Sequence, residues 1–225
     1  MSKIINVAID GPSGAGKSSL AKAISKSLGY IYVDTGALYR SIALFFIRRG
    51  ISTNDIEGIV SNLSDINLSL VYNEGVQNVI LNGENVSSLI RTNEVSMGAS
   101  TVSAVPAVRE FLLETQRQLA RENCVVMDGR DIGTVILPNA DVKIFLTADD
   151  KKRAERRYEE LRAKDPSVTF EEVYEAMVNR DKNDSTRAVA PAVQADDAVL
   201  LDNTDLDETQ TLERALEIIR NKAGI

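Results

Sequence analysis

Gly11-Pro12-Ser13-Gly14-Ala15-Gly16-Lys17-Ser18 has the spacing G-x-x-x-x-G-K-[ST], which is that of a loop built to hold the phosphates of a nucleoside triphosphate. The glycines let backbone N–H groups converge on phosphate oxygens. Lys17 can reach the outer phosphates, the Ser18 hydroxyl can ligate Mg2+, and Ser19 follows in the same turn. Three other clusters carry polar chemistry. Asp34-Thr35-Gly36-Ala37-Leu38-Tyr39-Arg40 leaves one apolar run and opens a helical pattern; Thr35 is placed to cap that helix, and Arg40 could reach a phosphate from its first turn. Asp128-Gly129-Arg130-Asp131 ends a second apolar run, and an Asp so placed beside a phosphate loop commonly orients Mg2+ or its waters. Between Asn179 and Arg187, the side chains of Arg180, Asp184 and Arg187 fall at i, i+4 and i+7 and share one helical face. Upstream lies the basic stretch Lys151-Lys152-Arg153, Arg156-Arg157, Arg162 and Lys164, with Arg153 and Arg157 a helical turn apart.

Each cluster has a plainer reading: a cap with a glycine turn, a solvated acidic turn, a surface salt-bridge ladder, an ordinary charged helix. The elements around them favour function. Apolar, β-rich segments occupy residues 4–9, 30–33, 124–127, 142–146 and 198–201, and such short continuous runs suit buried parallel strands. Helical patterns lie between most of them, at residues 19–28, 37–49, 105–122, 151–164, 171–182 and 207–222. Strands alternating with helices predict a doubly wound α/β sheet, and such sheets bind ligands at the carboxyl ends of their strands, where the Asp34 and Asp128 clusters sit. One stretch breaks the rhythm. Residues 65–82 alternate apolar and polar around a turn at Asn73-Glu74-Gly75, and Asn82-Gly83 marks a second turn, so a β-meander is expected within an insert over about residues 62–104. Lys164-Asp165-Pro166-Ser167 breaks the basic helix, consistent with a mobile lid over about residues 150–168 that closes arginines over phosphates.

The chain has 225 residues, 44% of them hydrophobic, and a formal net charge of −7. That length suits one domain with insertions. The negative balance argues against nucleic acid or anionic membrane as partners, so anionic ligands must be met by local clusters of Arg and Lys. Cys124 is the single cysteine; no intrachain disulfide is possible, and its apolar surroundings suggest a buried, inert thiol. With no signal-peptide pattern and no apolar stretch long enough to span a bilayer, a soluble cytoplasmic protein is expected. There is no histidine, which removes the commonest general base.

A small-molecule kinase, a GTP-binding switch and a nucleotide sensor all use a phosphate loop. Asp55-Ile56-Glu57-Gly58 matches the D-x-x-G of a switch, and Asp181-Lys182-Asn183-Asp184 approximates its guanine-reading N-K-x-D. Both stand in helical patterns rather than at strand ends, so they read as chance matches. A sensor has no use for so many separate arginines. The kinase reading is strengthened by a resemblance. Asp10 to Lys17, Asp34 to Arg40, Ile90-Arg91-Thr92, Asp128-Gly129-Arg130-Asp131-Ile132-Gly133-Thr134 and Arg187-Ala188-Val189-Ala190-Pro191 are similar, in order and across nearly the whole chain, to the motifs of the bacterial cytidylate kinases. Ser18-Ser19 stands where many of them have Gly-Thr and Thr35 where serine is common, but the hydroxyls are kept.

The resemblance implies a P-loop nucleoside monophosphate kinase fold with a five-stranded parallel sheet, a lid and a monophosphate-binding insert. It also implies transfer of a phosphoryl group from ATP, with Mg2+, to CMP or dCMP in pyrimidine metabolism. Residues 11–19 would hold the donor, with Ser18 and, through water, Asp128 holding the metal. Arg40, Arg130 and Arg187 would bind the acceptor phosphate. Ser100, Arg109 and Asp131 would read cytosine, with Thr35 and Tyr39 beside them. Arg180 and Asp184 would bind the sugar. Lys17, Arg130, Arg153, Arg157 and Arg187 are the catalytic candidates, the two lid arginines meeting the transferring group. A monomer suffices for all of this. A phosphate oxygen of CMP, with a second pKa near ~6, is already ionised at neutral pH and needs no histidine to activate it.

Overall fold

The computed structural model describes residues 3–73, 76–163 and 165–225. Five parallel strands form the central sheet: β1 (Asn6–Asp10), β2 (Ile31–Asp34), β6 (Val125–Asp128), β7 (Val142–Thr147) and β8 (Val199–Asp202), in the order β2-β6-β1-β7-β8. The predicted strands all form, each starting or ending one or two residues later than the apolar run itself, because each runs on into the polar residue at its carboxyl end. Register sets Ile9 and Asp34 on either side of Asp128, so the acids that close β1, β2 and β6 gather at one rim.

The strands are apolar throughout because both faces are covered. Val7, Ile9, Val126, Ile144 and Leu146 pack under α1 (Lys17–Leu28) and α8 (Glu208–Ala223). Ala8, Val33, Val125 and Met127 point the other way, onto α5 (Pro106–Glu122) and a π-helical turn at Ile132–Ile136. This inside-both-ways arrangement is what a parallel sheet requires.

A second core lies off the β2 edge. There α2 (Thr35–Arg48), α3 (Ile56–Asn62) and α4 (Asn93–Val102) pack with an antiparallel sheet of β3 (Leu68–Asn73), β4 (Val76–Leu81) and β5 (Glu84–Asn85) around Phe46, Ile59, Val79 and Ile90. The meander is thus as expected; its turn residues Glu74 and Gly75 lie outside the described residues. The helices α3 and α4 are weakly patterned in sequence and are held by this core. A third, small cluster joins α6 (Asp150–Arg162) to α7 (Phe170–Thr186) through Ala154, Tyr158, Val173 and Met177. Lys164, where the basic helix was expected to end, lies outside the described residues. The helix α7 runs four residues past its expected end, because Asp184 is buried and bonded near its last turn.

Two expectations are corrected. Thr35 is not the cap of α2: Asp34 is, its carboxylate accepting from the Ala37 N–H, while the Thr35 hydroxyl donates to the Asp128 carbonyl at 2.7 Å. Cys124 is half-buried rather than buried, since β6 begins one residue after it. Among the described residues no helix is long and apolar enough to cross a membrane.

Candidate active site

The loop between β1 and α1 is shaped by two backbone constraints. A side chain at Gly11 would meet the Leu146 carbonyl oxygen at 2.0 Å, so only glycine lets β1 turn here. Gly16 caps α1 in a left-handed conformation (φ 89°) and offers no side-chain acceptor to the first helical turn. Those N–H groups and the positive end of the helix are therefore available to an anion. Lys17 lies folded against the loop, its Nζ donating to the Pro12 carbonyl at 2.5 Å. Burial and then the Arg130 charge push its ammonium well below the usual lysine range, the electrostatic condition in which a phosphate is a strong partner.

The Ser18 hydroxyl donates to Asp128 Oδ2 at 2.8 Å. The other oxygen of Asp128 is buried without a hydrogen-bond partner, and burial, with Asp34 next in size, raises its carboxyl to about 6. A hydroxyl and an unmet carboxylate oxygen, both oxygen donors, suit Mg2+, which keeps several waters and takes few protein ligands. Among the described residues no group of three or more acids, cysteines or histidines is arranged to hold a metal by itself, so donor phosphates and water must complete the shell. Ser19 stands exposed on α1.

Arginines from several elements meet buried acids around this loop. Arg40 Nη2, on α2, donates to Asp34 at 2.9 Å, and Arg91 Nη2, from the insert, to the same carboxylate at 3.0 Å. Arg130 Nε donates to Asp184 at 3.0 Å and the Ser100 hydroxyl to Asp184 at 3.2 Å. Arg180, one turn before Asp184, is 3.9 Å from it; burial and the nearby Arg130 charge lower its guanidinium to about 10. Arg187 lies just past the end of α7 with extended backbone. Its guanidinium leaves the shared helical face and donates to Ser103 Oγ at 3.0 Å and Asp131 at 3.3 Å. Arg109 also donates to Asp131 and lies 5.6 Å from the centroid of the Tyr39 ring. Asp131 is 3% exposed; burial raises its carboxyl, with Arg109 and Arg187 opposing.

Between the loop and α7 lies a cavity of about 310 Å³, bordered by Pro12, Arg130, Arg153, Asp181 and Asp184. Arg153 is buried and multiply bonded, to Ser13 O at 2.6 Å, Ala148 O at 3.1 Å, Asp150 at 2.6 Å and Asp181 at 2.5 Å. Arg157 turns instead to Glu160 at 2.8 Å on the outer side of α6. The switch-like matches fall on helices: Asp55 caps α3, and Asp181 to Asp184 lie within α7.

The model description "Cytidylate kinase" matches residues 7–221. The cytidylate kinase of Caldanaerobacter subterraneus subsp. tengcongensis is 49% identical over 216 residues, covering 96% of this chain and 95% of that protein. The cytidylate kinase of Caldicellulosiruptor saccharolyticus is 45% identical over 222 residues, covering 99% of this chain and 98% of the relative. The chain belongs to the cytidylate kinase family.

Pro12 of the loop, Arg130 and Asp184 border one cavity, whereas the helical face expected to carry Arg180, Asp184 and Arg187 together loses Arg187, which lies past the end of α7. Several partners were not singled out from sequence. Asp10 also ends an apolar run, a signal read for the Asp34 and Asp128 clusters but not for this residue. Asp181 accepts from the Ser13 N–H at 2.8 Å. Asn203 donates to the Ala15 carbonyl at 3.1 Å, behind the phosphate loop. Gln77, on β4, binds both backbone groups of Asp34, accepting from its N–H at 2.9 Å and donating to its carbonyl at 3.3 Å. Nothing in the local sequence marks Gln77.

Proposed function

We propose that this chain transfers the terminal phosphoryl group of ATP to the phosphate of CMP or dCMP, forming CDP or dCDP. One observation carries the base choice: the Asp131 carboxylate, almost wholly buried, lies between Arg109 and Arg187 at the end of the strand beside the donor loop. Cytosine offers an amino donor at position 4 and acceptors at N3 and O2. A carboxylate accepts from the amino group and a guanidinium donates to the acceptors, whereas the carbonyl at position 4 of uracil faces the same carboxylate and is repelled.

The remaining residues have roles that follow from their charges. Lys17 and the amides of the loop hold the donor phosphates. Arg40, Arg130 and Arg187 orient the acceptor phosphate, Ser100 stands with Arg109 and Asp131 for the base, and Arg180 with Asp184 takes the sugar hydroxyls. Arg40, Arg130 and Arg187 are each already hydrogen-bonded to a buried acid, so the acceptor phosphate enters a site whose cations are held in place beforehand, and positioning costs little at the moment of reaction. Mg2+, held by Ser18 and through water by Asp128, neutralises donor phosphate charge when bound. Arg153 and Arg157 approach the transferring group only if the α6–α7 unit moves, since Arg153 is committed to Ser13 and Asp181. Residues 150–168 are the lid and 62–104 the monophosphate-binding insert of a single kinase domain spanning 1–225, active as a monomer.

A coupled assay of ADP release with CMP, dCMP, UMP, AMP and shikimate as acceptors tests this reading. Turnover is expected with CMP and dCMP, and no turnover with either would overturn it.

A further inference from the structure

Asp10 is a buried acid that none of the roles above uses. It closes β1, is 5% exposed, and directs both oxygens across the sheet: Oδ1 accepts the Ile132 N–H at 2.8 Å and Oδ2 the Gly133 N–H at 2.7 Å. These amides open the π-helical turn at Ile132–Ile136, whose own preceding residue, Asp131, gives it no side-chain cap. On the near side of the same segment, the Gly129 N–H donates to the Ile9 carbonyl at 3.0 Å. The stretch that carries Arg130 and Asp131 is therefore pinned to β1 at both ends. The pin at the far end is a side chain whose next residue is Gly11, the first of the phosphate loop.

The choice of side chain is informative. Two adjacent backbone N–H groups need two acceptors side by side, and at this length only a carboxylate provides them; an asparagine has one acceptor and turns a donor to the second amide. The carboxylate is held here against opposition. Its carboxyl is raised to about 6, chiefly by burial and also by the Asp131 charge, although the two amides and Lys17 pull the other way. Gly133 brings its amide up to Asp10 with the Lys143 side chain alongside, where a Cβ would lie 3.0 Å from Lys143 Cδ.

We infer that Asp10 is a positioning residue for acceptor recognition, fixing Arg130 and Asp131 at a set distance from the donor loop by accepting the Ile132 and Gly133 amides. The inference rests on the reading of Asp131 as the group that recognises cytosine. Its consequence is that loosening Asp10 degrades base choice rather than donor binding.

The test compares Asp10→Asn, Asp10→Glu and Asp131→Ala with the unaltered enzyme. Four quantities are read: kcat/KM for CMP, kcat/KM for UMP, ATP affinity by calorimetry without acceptor, and amide exchange at residues 132 and 133. Asp10→Asn leaves one buried amide facing a donor, so the CMP:UMP ratio should fall about 10-fold or more. Amides 132 and 133 should exchange faster, while ATP affinity should change by less than about 3-fold. Asp10→Glu keeps both acceptors but is one methylene longer, so it displaces the Ile132 and Gly133 amides and should lower the ratio in the same direction; it decides the matter if Asp10→Asn does not fold. Equal losses for CMP and UMP, or a loss of ATP affinity matching the loss of CMP turnover, would overturn the inference. Asp131→Ala separates the two ideas. If it abolishes selectivity and the two Asp10 variants do not, only the role of Asp10 falls. If Asp131→Ala itself leaves selectivity intact, the cytosine reading falls and takes this inference with it.

Discussion

Replacing Asp131 with asparagine keeps the volume of the side chain and removes its charge. In the structure that charge stands between Arg109 and Arg187, with 3% of the residue exposed. Deleting one partner of a buried ion pair costs about 3–5 kcal/mol. Here the amide oxygen still accepts one bond, and burial already opposes the carboxylate, so a loss of about 1–3 kcal/mol is expected, or a Tm lower by about 3–10 °C for a chain of this size. The catalytic effect is separate. Exchanging a charge-assisted bond to the cytosine amino group for a neutral one removes about 1–2 kcal/mol, a loss of about 5- to 30-fold in kcat/KM for CMP. For UMP the sign reverses, because the new amide N–H can donate to the carbonyl that the carboxylate repels. The CMP:UMP ratio should therefore fall by more than the roughly 5- to 30-fold lost for CMP alone, read as initial rates of coupled ADP release at subsaturating acceptor. If both acceptors lose activity by the same factor in folded protein, Asp131 supports the site without reading the base.

Three further outcomes follow from the same geometry. Burial, with the Asp34 charge beside it, raises the Asp128 carboxyl to about 6, above its unfolded value, so the folded protein gains stability as pH falls through that value and carries the cost of the charge above it. Asp128→Asn should accordingly raise Tm by a few degrees at about pH 7.5, with the gain fading towards about pH 5, while kcat falls about 100-fold or more. A Tm gain that is the same at both pH values would contradict a buried, ionised Asp128. Arg153→Lys keeps the charge but cannot span Ser13, Ala148, Asp150 and Asp181 at once; KM for ATP should rise about 10-fold with KM for CMP nearly unchanged, and a rise confined to CMP would refute the donor-side placement. Gln77→Leu removes both bonds to the Asp34 backbone and should raise KM for CMP about 3- to 10-fold with kcat and KM for ATP unaffected; unchanged CMP kinetics would show that the insert needs no such tie.

Much of the fold is written in local pattern. Continuous apolar runs mark strands buried on both faces, and the alternation in β3 and β4 marks a sheet with one face against a core. The exceptions have a common cause. The helix α4 carries little helical signal of its own and is held by Val95, Ala99 and Val102 packing into the second core. The last turn of α7 persists through a polar stretch because Asp184 is fixed by Arg130 and Ser100, residues from distant parts of the chain. Thr35 has a capping residue's chemistry, yet Asp34 takes that place and frees the Thr35 hydroxyl for the Asp128 carbonyl.

The same division runs through the site. The phosphate loop is determined by the sequence alone, since its work is done by consecutive backbone groups, and a glycine where φ is positive or where Leu146 presses close is a local necessity. The family, too, is carried by motifs that can be read in order along the chain. What only the tertiary structure decides is which acid holds which arginine. Asp34 takes Arg91 from 57 positions away and Gln77 from 43 away, and Asp10 reaches amides 122 and 123 positions on. Pairings of that separation leave no trace in local spacing, because they are set by strand order and register, which bring the ends of β1, β2 and β6 to one rim.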